Sequence, residues 1–512
     1  MNQSDYLKLI KLEDKIHRIA IEELNLVCDP IEFDVVPPIK MIEIMAYRSP
    51  SNISNWKFGR DMEKLRTIYE RIDPGLPYEV VINCLPARAY LMNTNTLTVQ
   101  CLVMAHVYGH VAFFTMNKWF QNSRKDILTL LSEANKRFQM YEKRFGIDEV
   151  EKIVDIGHAL QLHCDPFSNE TENEKRERIF EQKKLENRVS SSEFSDITSY
   201  KEDKVKEDIE MHNQRLWRQL KNTTPIEPTE DILRYIIDNS SILEDWQRDI
   251  LEVLREEGIY FWPIIKTKYM NEGFATWIHE KIMNKLFRDG DLSTNTHGEF
   301  TYSNSLVKAQ HKTHMNPYLI GSKMWEDIED RWNKGKYGSD WEECYNLKKR
   351  KEWDKKKGKG EEKILNVMKG YTDWFFMHDF LTAELVDNND LYLYQPVDKG
   401  NIIEYVRTNH SAEDVKKIIV NSFAHSGIPK IEVVNGNFNN NGIFRCEHRF
   451  SGVELNLEYA EKTMNHIYNA WGKPVILITK KGNQDVTITS DKDGVRVSIG
   501  VTPNTKPPEF YV

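Results

Sequence analysis

Residues 97–114 read Leu-Thr-Val-Gln-Cys-Leu-Val-Met-Ala-His-Val-Tyr-Gly-His-Val-Ala-Phe-Phe. The run is apolar around every turn, and the preceding Asn95-Thr96 can cap a helix whose first N–H groups need acceptors. Its most apolar part, 99–114, carries Gln100, His106 and His110, and is short and polar beside the ~20 apolar residues of a bilayer span. Just upstream, Tyr78-Glu-Val-Val-Ile-Asn83 reads as a strand. Pro86 punctuates a turn, and Ala89-Tyr-Leu-Met92 reads as a short second strand. The order strand, turn, strand, helix sets the expected fold.

Working outward, apolar residues at helical spacing over 5–26 predict a helix, which Val35-Val36-Pro37-Pro38 breaks. Helices are expected over 121–164, ending at Asp165-Pro166, and again over 231–286. Between them, 167–224 is rich in charge, Ser and Asn and predicts a solvated helix-and-loop insertion or linker. Residues 348–363 hold nine basic and four acidic residues and predict an exposed, flexible connector. From about 400 the texture changes. Strands are expected at 431–434, 442–445, 473–478 and 485–490, with helices at 411–425 and 455–470. The expected class is α+β: a large, mainly helical N-terminal domain with a small sheet, followed by a small mixed α/β domain. The expected divisions are 1–166, an insertion at 167–224, a continuation of the first core at 225–395, and a C-terminal domain at 396–512.

Composition narrows the function. The 512 residues, enough for roughly three folding units, carry 70 basic and 79 acidic side chains, a net charge of −9 that argues against a general nucleic-acid binder. Hydrophobic residues make up 40%, so the chain can bury a large core. The six cysteines lie far apart with no CxxC pair, and the N-terminus lacks the apolar region of a signal peptide. The expected setting is the reducing cytoplasm. Ser-His-Asp elbow, Walker and GxGxxG patterns are absent from the sequence.

The chemistry-bearing residues begin with His106 and His110. At i and i+4 they share one helix face and can chelate one ion. Downstream, Asn271-Glu272-Gly273-Phe274-Ala275 precedes His279, seven residues and two helical turns beyond Glu272. NEGxA on a helix resembles the element that supplies the glutamate ligand of gluzincin peptidases, and the strand–turn–strand–helix order resembles that ahead of their active helix. The expected ligands are therefore His106, His110 and Glu272 in a zincin-like setting, with His279 as a further ligand or acid/base. This set suits zinc and equally suits non-haem iron. In HExxH the glutamate deprotonates the metal's water; here Val107 stands in that position and cannot accept a proton. A hydrolase would need another base, and Glu256 and Glu257 in Arg255-Glu256-Glu257 are the candidates beside His279. Other histidines are weaker signals: His163 at a helix end reads as structural, His311 and His314 flank a loop, and His448 falls in an expected strand.

Taken together, these motifs resemble those of the SpoVR (stage V sporulation protein R) family. The resemblance runs from Asn55-Trp56-Lys57-Phe58-Gly59 through 78–83 and the HxxxH helix. It continues with Asp245-Trp246-Gln247-Arg248-Asp249, Arg255-Glu256-Glu257-x-x-Tyr260-Phe261 and Thr267-Lys268-x-x-Asn271-Glu272-Gly273. Asn316-Pro317-Tyr318-x-x-Gly321, Phe380-Leu381-Thr382 and Trp471-Gly472-Lys473-Pro474-Val475 complete it. The family implies a role in spore cortex formation and stress response. It also implies association with a AAA-type serine protein kinase and a von Willebrand-A-like protein. The chain departs from the family's usual pattern at Ala112, Ile264 and Asn304, where aspartate, glutamine and histidine respectively are common. Three functions are consistent with this reading: a metal-dependent amide or peptide hydrolase with a non-standard base, a zincin-like or iron-binding protein in redox or regulatory work, and a non-catalytic scaffold or regulator of the kinase module.

Overall fold

The computed structural model describes residues 3–48, 55–71, 79–167, 170–192, 202–222, 224–310, 312–400 and 403–500. Two compact units emerge, each built from two chain segments: Met1–Arg137 with Tyr260–Gly427, and Phe138–Ile259 with Ile428–Val512. Contacts thus group the chain differently from the composition-based divisions at 166, 224 and 395.

The first unit is organised by the expected central helix, Leu97–Met116, which is capped by Thr96 Oγ1 accepting from Val99 N at 3.3 Å. Every residue from Thr98 to Phe114 is buried. A helix apolar on all sides has no solvent face to present and becomes the middle of a core. At 20 residues it is longer than the 16-residue run read from sequence, and by length and composition it could cross a membrane. However, 94% of that window is buried inside the fold, so the protein's own core accounts for its apolarity. Beside it lies a three-stranded sheet of order β1-β3-β2, with β1 at Ile31–Val36, β2 at Glu79–Ile82 and β3 at Ala87–Met92. β2 runs antiparallel to β3, and β1 parallel to it. The strand expected at 78–83 is confirmed over 79–82; Tyr78 lies outside the described residues, as does His311. β1 corrects the reading of 35–38 as a plain break: Val35 and Val36 pair with Leu91 and Met92 before Pro38 opens the helix Pro38–Tyr47.

The helix Lys268–Asp289 carries the NEG motif and packs along the histidine helix. Its first N–H groups are satisfied from another element, since Asp373 accepts from Tyr269 N at 2.9 Å and from Met270 N at 2.8 Å. Burial pushes the Asp373 carboxyl up to about 7 despite those donors. Glycines set how closely the helices approach. A Cβ on Gly109 would sit 2.5 Å from Ala275 Cα, and one on Gly273 would sit 2.3 Å from the backbone of Gly321 in the helix Pro317–Lys334. The basic stretch 348–363 is exposed but not a loose connector. Trp353 Nε1 donates to Gly335 O at 2.9 Å, and Lys355 N to Lys334 O at 2.8 Å.

The first unit also holds an antiparallel pair, β4 Tyr394–Asp398 and β5 Ile403–Arg407. The second unit contains a five-stranded sheet of order β10-β9-β8-β7-β6: β6 Ile431–Phe438, β7 Ile443–His448, β8 Val475–Lys481, β9 Gln484–Asp491 and β10 Gly494–Ile499. Only β7 and β8 are parallel, with the helix Leu457–Trp471 between them in sequence. Earlier residues tie into this unit: Thr229 bridges Val433 in the sheet, and Ser240 Oγ donates to Ala470 O of the helix at 2.7 Å. Within 167–224, the helices Glu172–Ser192 and Glu202–Asn222 pair through Phe180 and Trp217, whose ring centroids are 4.9 Å apart. The helix Ala412–Ser422, expected in the C-terminal domain, instead buries Val415 and Ile419 in the first unit's core.

A Gly273→Ala variant should be destabilised by overpacking of about 1–3 kcal/mol, a Tm loss of roughly 2–10 °C. Gly59→Ala, in the helix Trp56–Arg71 with nothing within 4 Å of the added Cβ, should be neutral or raise Tm. Equal Tm values for the two variants in thermal denaturation would refute the close-crossing account.

Candidate metal centre

Three elements of the first unit converge on one point. The histidine helix presents His106 and His110 from one face, the NEG helix presents Glu272, and the first residue of β2 presents Glu79. One nitrogen or oxygen from each lies within 4.8 Å of all the others. His106 Nε2 is 3.1 Å from Glu79 Oε1 and 3.6 Å from Glu272 Oε2; His110 Nε2 is 3.5 Å and 3.4 Å from the same two atoms. A tetrahedral ion with bonds of about 2.0–2.1 Å has ligand–ligand edges of about 3.3–3.4 Å. The four separations, 3.1–3.6 Å, cluster around that edge length. His106 Nε2 and Glu272 Oε2 are both buried and lack a partner aligned for hydrogen bonding, which suits metal-ligating atoms. The donor set of two imidazoles and two carboxylates fits a divalent transition metal.

The ring orientations are fixed from behind. His110 Nδ1 lies 2.8 Å from Asn271 Oδ1, an acceptor only. Nδ1 therefore carries the proton, and a neutral His110 presents its Nε2 lone pair to the centre. His106 Nδ1 meets His279 Nδ1 at 2.8 Å, and His279 Nε2 meets Asn304 Oδ1 at 2.9 Å. The ring of Tyr318 stands 5.8 Å from that of His106. The charge of Glu272, followed by burial, holds its phenol well above its usual pKa, so it stays protonated.

Without a cation the four groups balance one another's charge. Burial works against the charged forms of both histidines, but Glu79 and Glu272 outweigh it, raising His106 and taking His110 up to about 10. Burial likewise opposes the carboxylates, yet the two imidazoles bring Glu79 down to about 2 and hold Glu272 well below the usual range. Burial, then His106, pushes His279 down to about 3. A divalent ion would replace two protons and leave the net charge of the buried group unchanged.

Of the residues singled out from sequence, His106, His110 and Glu272 come together, and His279 stands behind His106 rather than among the ligand atoms. Glu79 was missed. The only signal available was a lone carboxylate heading the apolar strand Glu-Val-Val-Ile. Glu256 and Glu257 belong to the second unit, where Glu256 lies 3.7 Å from Arg255 and Glu257 is buried. Ala112 is fully buried in the apolar core, Ile264 packs against that core, and Asn304 contacts His279. His448 Nδ1 and Thr479 Oγ1 are 2.8 Å apart in the C-terminal sheet. All six cysteines are free thiols.

A family model described as "SpoVR like protein" matches residues 3–428, and one described as "SpoVR-like C-terminal domain" matches 429–482. Their boundary falls beside the passage from one unit to the other at Gly427. Among curated proteins, the chain is 28% identical over 497 residues to "Uncharacterized protein YcgB" of Escherichia coli (strain K12), covering 90% of this chain and 89% of that one. No solved structure matches.

The charge balance of the cluster sets a pH window for the metal-free protein. Glu79, lowered from 4.5 to about 2, contributes stability that is full above 4.5 and lost as pH falls towards 2. His110, raised from 6.5 to about 10, contributes stability that is full below 6.5 and lost as pH rises through 10. With chelator present, the Tm difference between the wild type and His110→Ala should therefore be greatest between 4.5 and 6.5 and shrink on either side. A difference that widens from neutral to alkaline pH would contradict this charge assignment.

Proposed function

The chain belongs to the SpoVR family, and from that premise we propose that it works as a metal-centred member of the family, holding one divalent transition-metal ion between Glu79, His106, His110 and Glu272. The observation that carries this reading is the convergence of two imidazole nitrogens and two carboxylate oxygens at tetrahedral spacing in a buried site. Zinc suits that geometry best, with ferrous iron the alternative for the same donors.

The fourth protein ligand decides how the centre is used. A catalytic zinc commonly keeps one position open, whereas a structural zinc is closed by protein. With Glu79 in place the set is closed, and Val107 offers no base. This supports a scaffold or regulator whose metal ties β2 to two core helices. In family terms, the protein would act in the cytoplasm beside a AAA-type serine kinase and a von Willebrand-A-like protein, in spore cortex formation or a stress response. One observation favours a second reading, amide or peptide hydrolysis: Glu79 is a carboxylate within 3.1–3.5 Å of both histidine nitrogens. If it withdrew from the ion it would stand where a general base is needed. The ion would then supply Lewis acidity.

Elemental analysis of protein prepared without chelators should find about one zinc or iron per chain, and His106→Ala or Glu79→Ala should lose most of it. Because the ion binds only the folded state, its removal should lower Tm. A wild-type chain that takes up neither metal from solution would refute the metal centre. Glu79→Gln separates the two readings: loss of metal supports the closed scaffold, whereas retained metal with lost hydrolysis supports the base. For the partners, native co-purification should recover the kinase and the von Willebrand-A-like protein, and their absence from stoichiometric pull-downs would count against association.

A further inference from the structure

We infer that Asn304 is a positioning residue of the metal centre: acting through His279, it fixes which ring nitrogen of His106 carries the proton, so that Nε2 is the nitrogen presented to the ion. This deepens the metal-centred reading and rests on it.

The argument runs inward from the far end of a hydrogen-bond chain. Lys308 donates to Glu280 Oε1 at 2.9 Å, which keeps that carboxylate charged and an acceptor only. Asn304 Nδ2 donates to the same oxygen at 2.7 Å. The amide therefore cannot be turned round, because Asn304 Oδ1 would then face the carboxylate, acceptor against acceptor. With Nδ2 committed to Glu280, Oδ1 must face His279 Nε2, 2.9 Å away, and can only accept. The Nε2 of His279 thus holds that ring's proton. A neutral imidazole protonated at Nε2 has a lone pair at Nδ1. That lone pair lies 2.8 Å from His106 Nδ1, so His106 must donate there. A neutral His106, the form a metal ion would meet, is left with an unprotonated Nε2, the buried atom 3.1 Å from Glu79 and 3.6 Å from Glu272 that has no aligned partner of its own.

Each link in the chain has one permitted direction, and that direction is set by the Lys308–Glu280 pair. His279 fully buries its ring between two partners, so it is not free to reorient toward water. The arrangement differs from that behind His110, where the acceptor Asn271 touches the ligand ring directly. For His106 the acceptor is itself an imidazole, which can donate or accept, so a further residue is needed to settle its tautomer. Without Asn304, His279 can move its proton to Nδ1 and donate to His106. A neutral His106 then carries its proton on Nε2 and stops being a ligand.

The test compares zinc affinity, by competition with a chromophoric chelator, in the wild type, Asn304→Leu and Asn304→His. Leucine keeps the volume and removes both amide functions, and the loss of an outer-shell partner is expected to weaken zinc binding about 10–100-fold. Histidine at 304 can accept from His279 and donate to Glu280, so it should restore most of the affinity. Histidine 15N shifts of the zinc-loaded wild type give a second readout that a purely structural role would not move: His106 should be ligated through Nε2 and protonated at Nδ1. That measurement decides the matter even if Asn304→Leu fails to fold. Ligation through Nδ1 in the wild type, or Asn304→Leu affinity within about two-fold of the wild type, would overturn the role of Asn304 and leave the centre standing. Failure of the wild type to bind zinc or ferrous iron would instead remove the centre and the inference with it.

Discussion

Two buried imidazoles and two part-buried carboxylates meet against a helix that is apolar on every side, and the first unit is arranged around the cost of holding them there. An isolated ionised group in such surroundings would neutralise or force the structure open. Here each charge has an opposite partner about 3–4 Å away, close enough for coulombic attraction to offset desolvation when further hydrogen bonds complete the set. That requirement explains why Asn271, His279 and Asn304 are spent on orienting rings rather than on surface contacts. A cation or two protons can each balance the same four groups, so the fold tolerates either state while their geometry matches the ion.

Seen from the centre, the NEG motif divides its labour by position. Asn271 orients His110, Glu272 supplies the oxygen, and Gly273 lets the helix press against Gly321 closely enough for the first two to reach. Gly109, between the two histidines, plays the same part against Ala275. Two of these residues act chemically and two only by being small. Enlarging either glycine would displace ligands it never touches.

Much of this was legible in the sequence because it is local. The i, i+4 histidines, the Thr96 cap, the apolar run and the NEG helix are each set by residues within a few turns, and so is each strand-forming stretch. What was hidden depends on contacts between distant segments. Glu79 enters the centre only because β2 pairs antiparallel with β3, a register invisible in a four-residue strand. β1 was read as a break because Pro37-Pro38 follows Val35-Val36 directly, yet parallel pairing with β3 is satisfied before the prolines begin. The two units escaped a composition-based division because each is closed by a late segment returning to an early one, as Val433 does to Thr229. Glu256 and Glu257 were chosen for nearness in sequence to the NEG motif, but the chain between them passes from one unit to the other.

Val107 is the residue on which a peptidase-like reading stumbles, and the structure gives it a positive role. Its side chain is wholly buried in the apolar cluster that the histidine helix organises. A glutamate there would bring a carboxylate into that apolar cluster, at a desolvation cost that valine does not carry. The helix therefore keeps its packing and leaves the second carboxylate to be delivered from outside, by β2. Glu79 meets the histidines on the face that the helix already turns toward the NEG element, and does so without interrupting the core. A carboxylate brought in by a strand can be a ligand, or a base if it withdraws, whereas one rooted in the helix would have been committed to a single position. The use made of this centre thus depends on how tightly β2 is held, a property of the small sheet and not of the histidine motif that first draws attention to it.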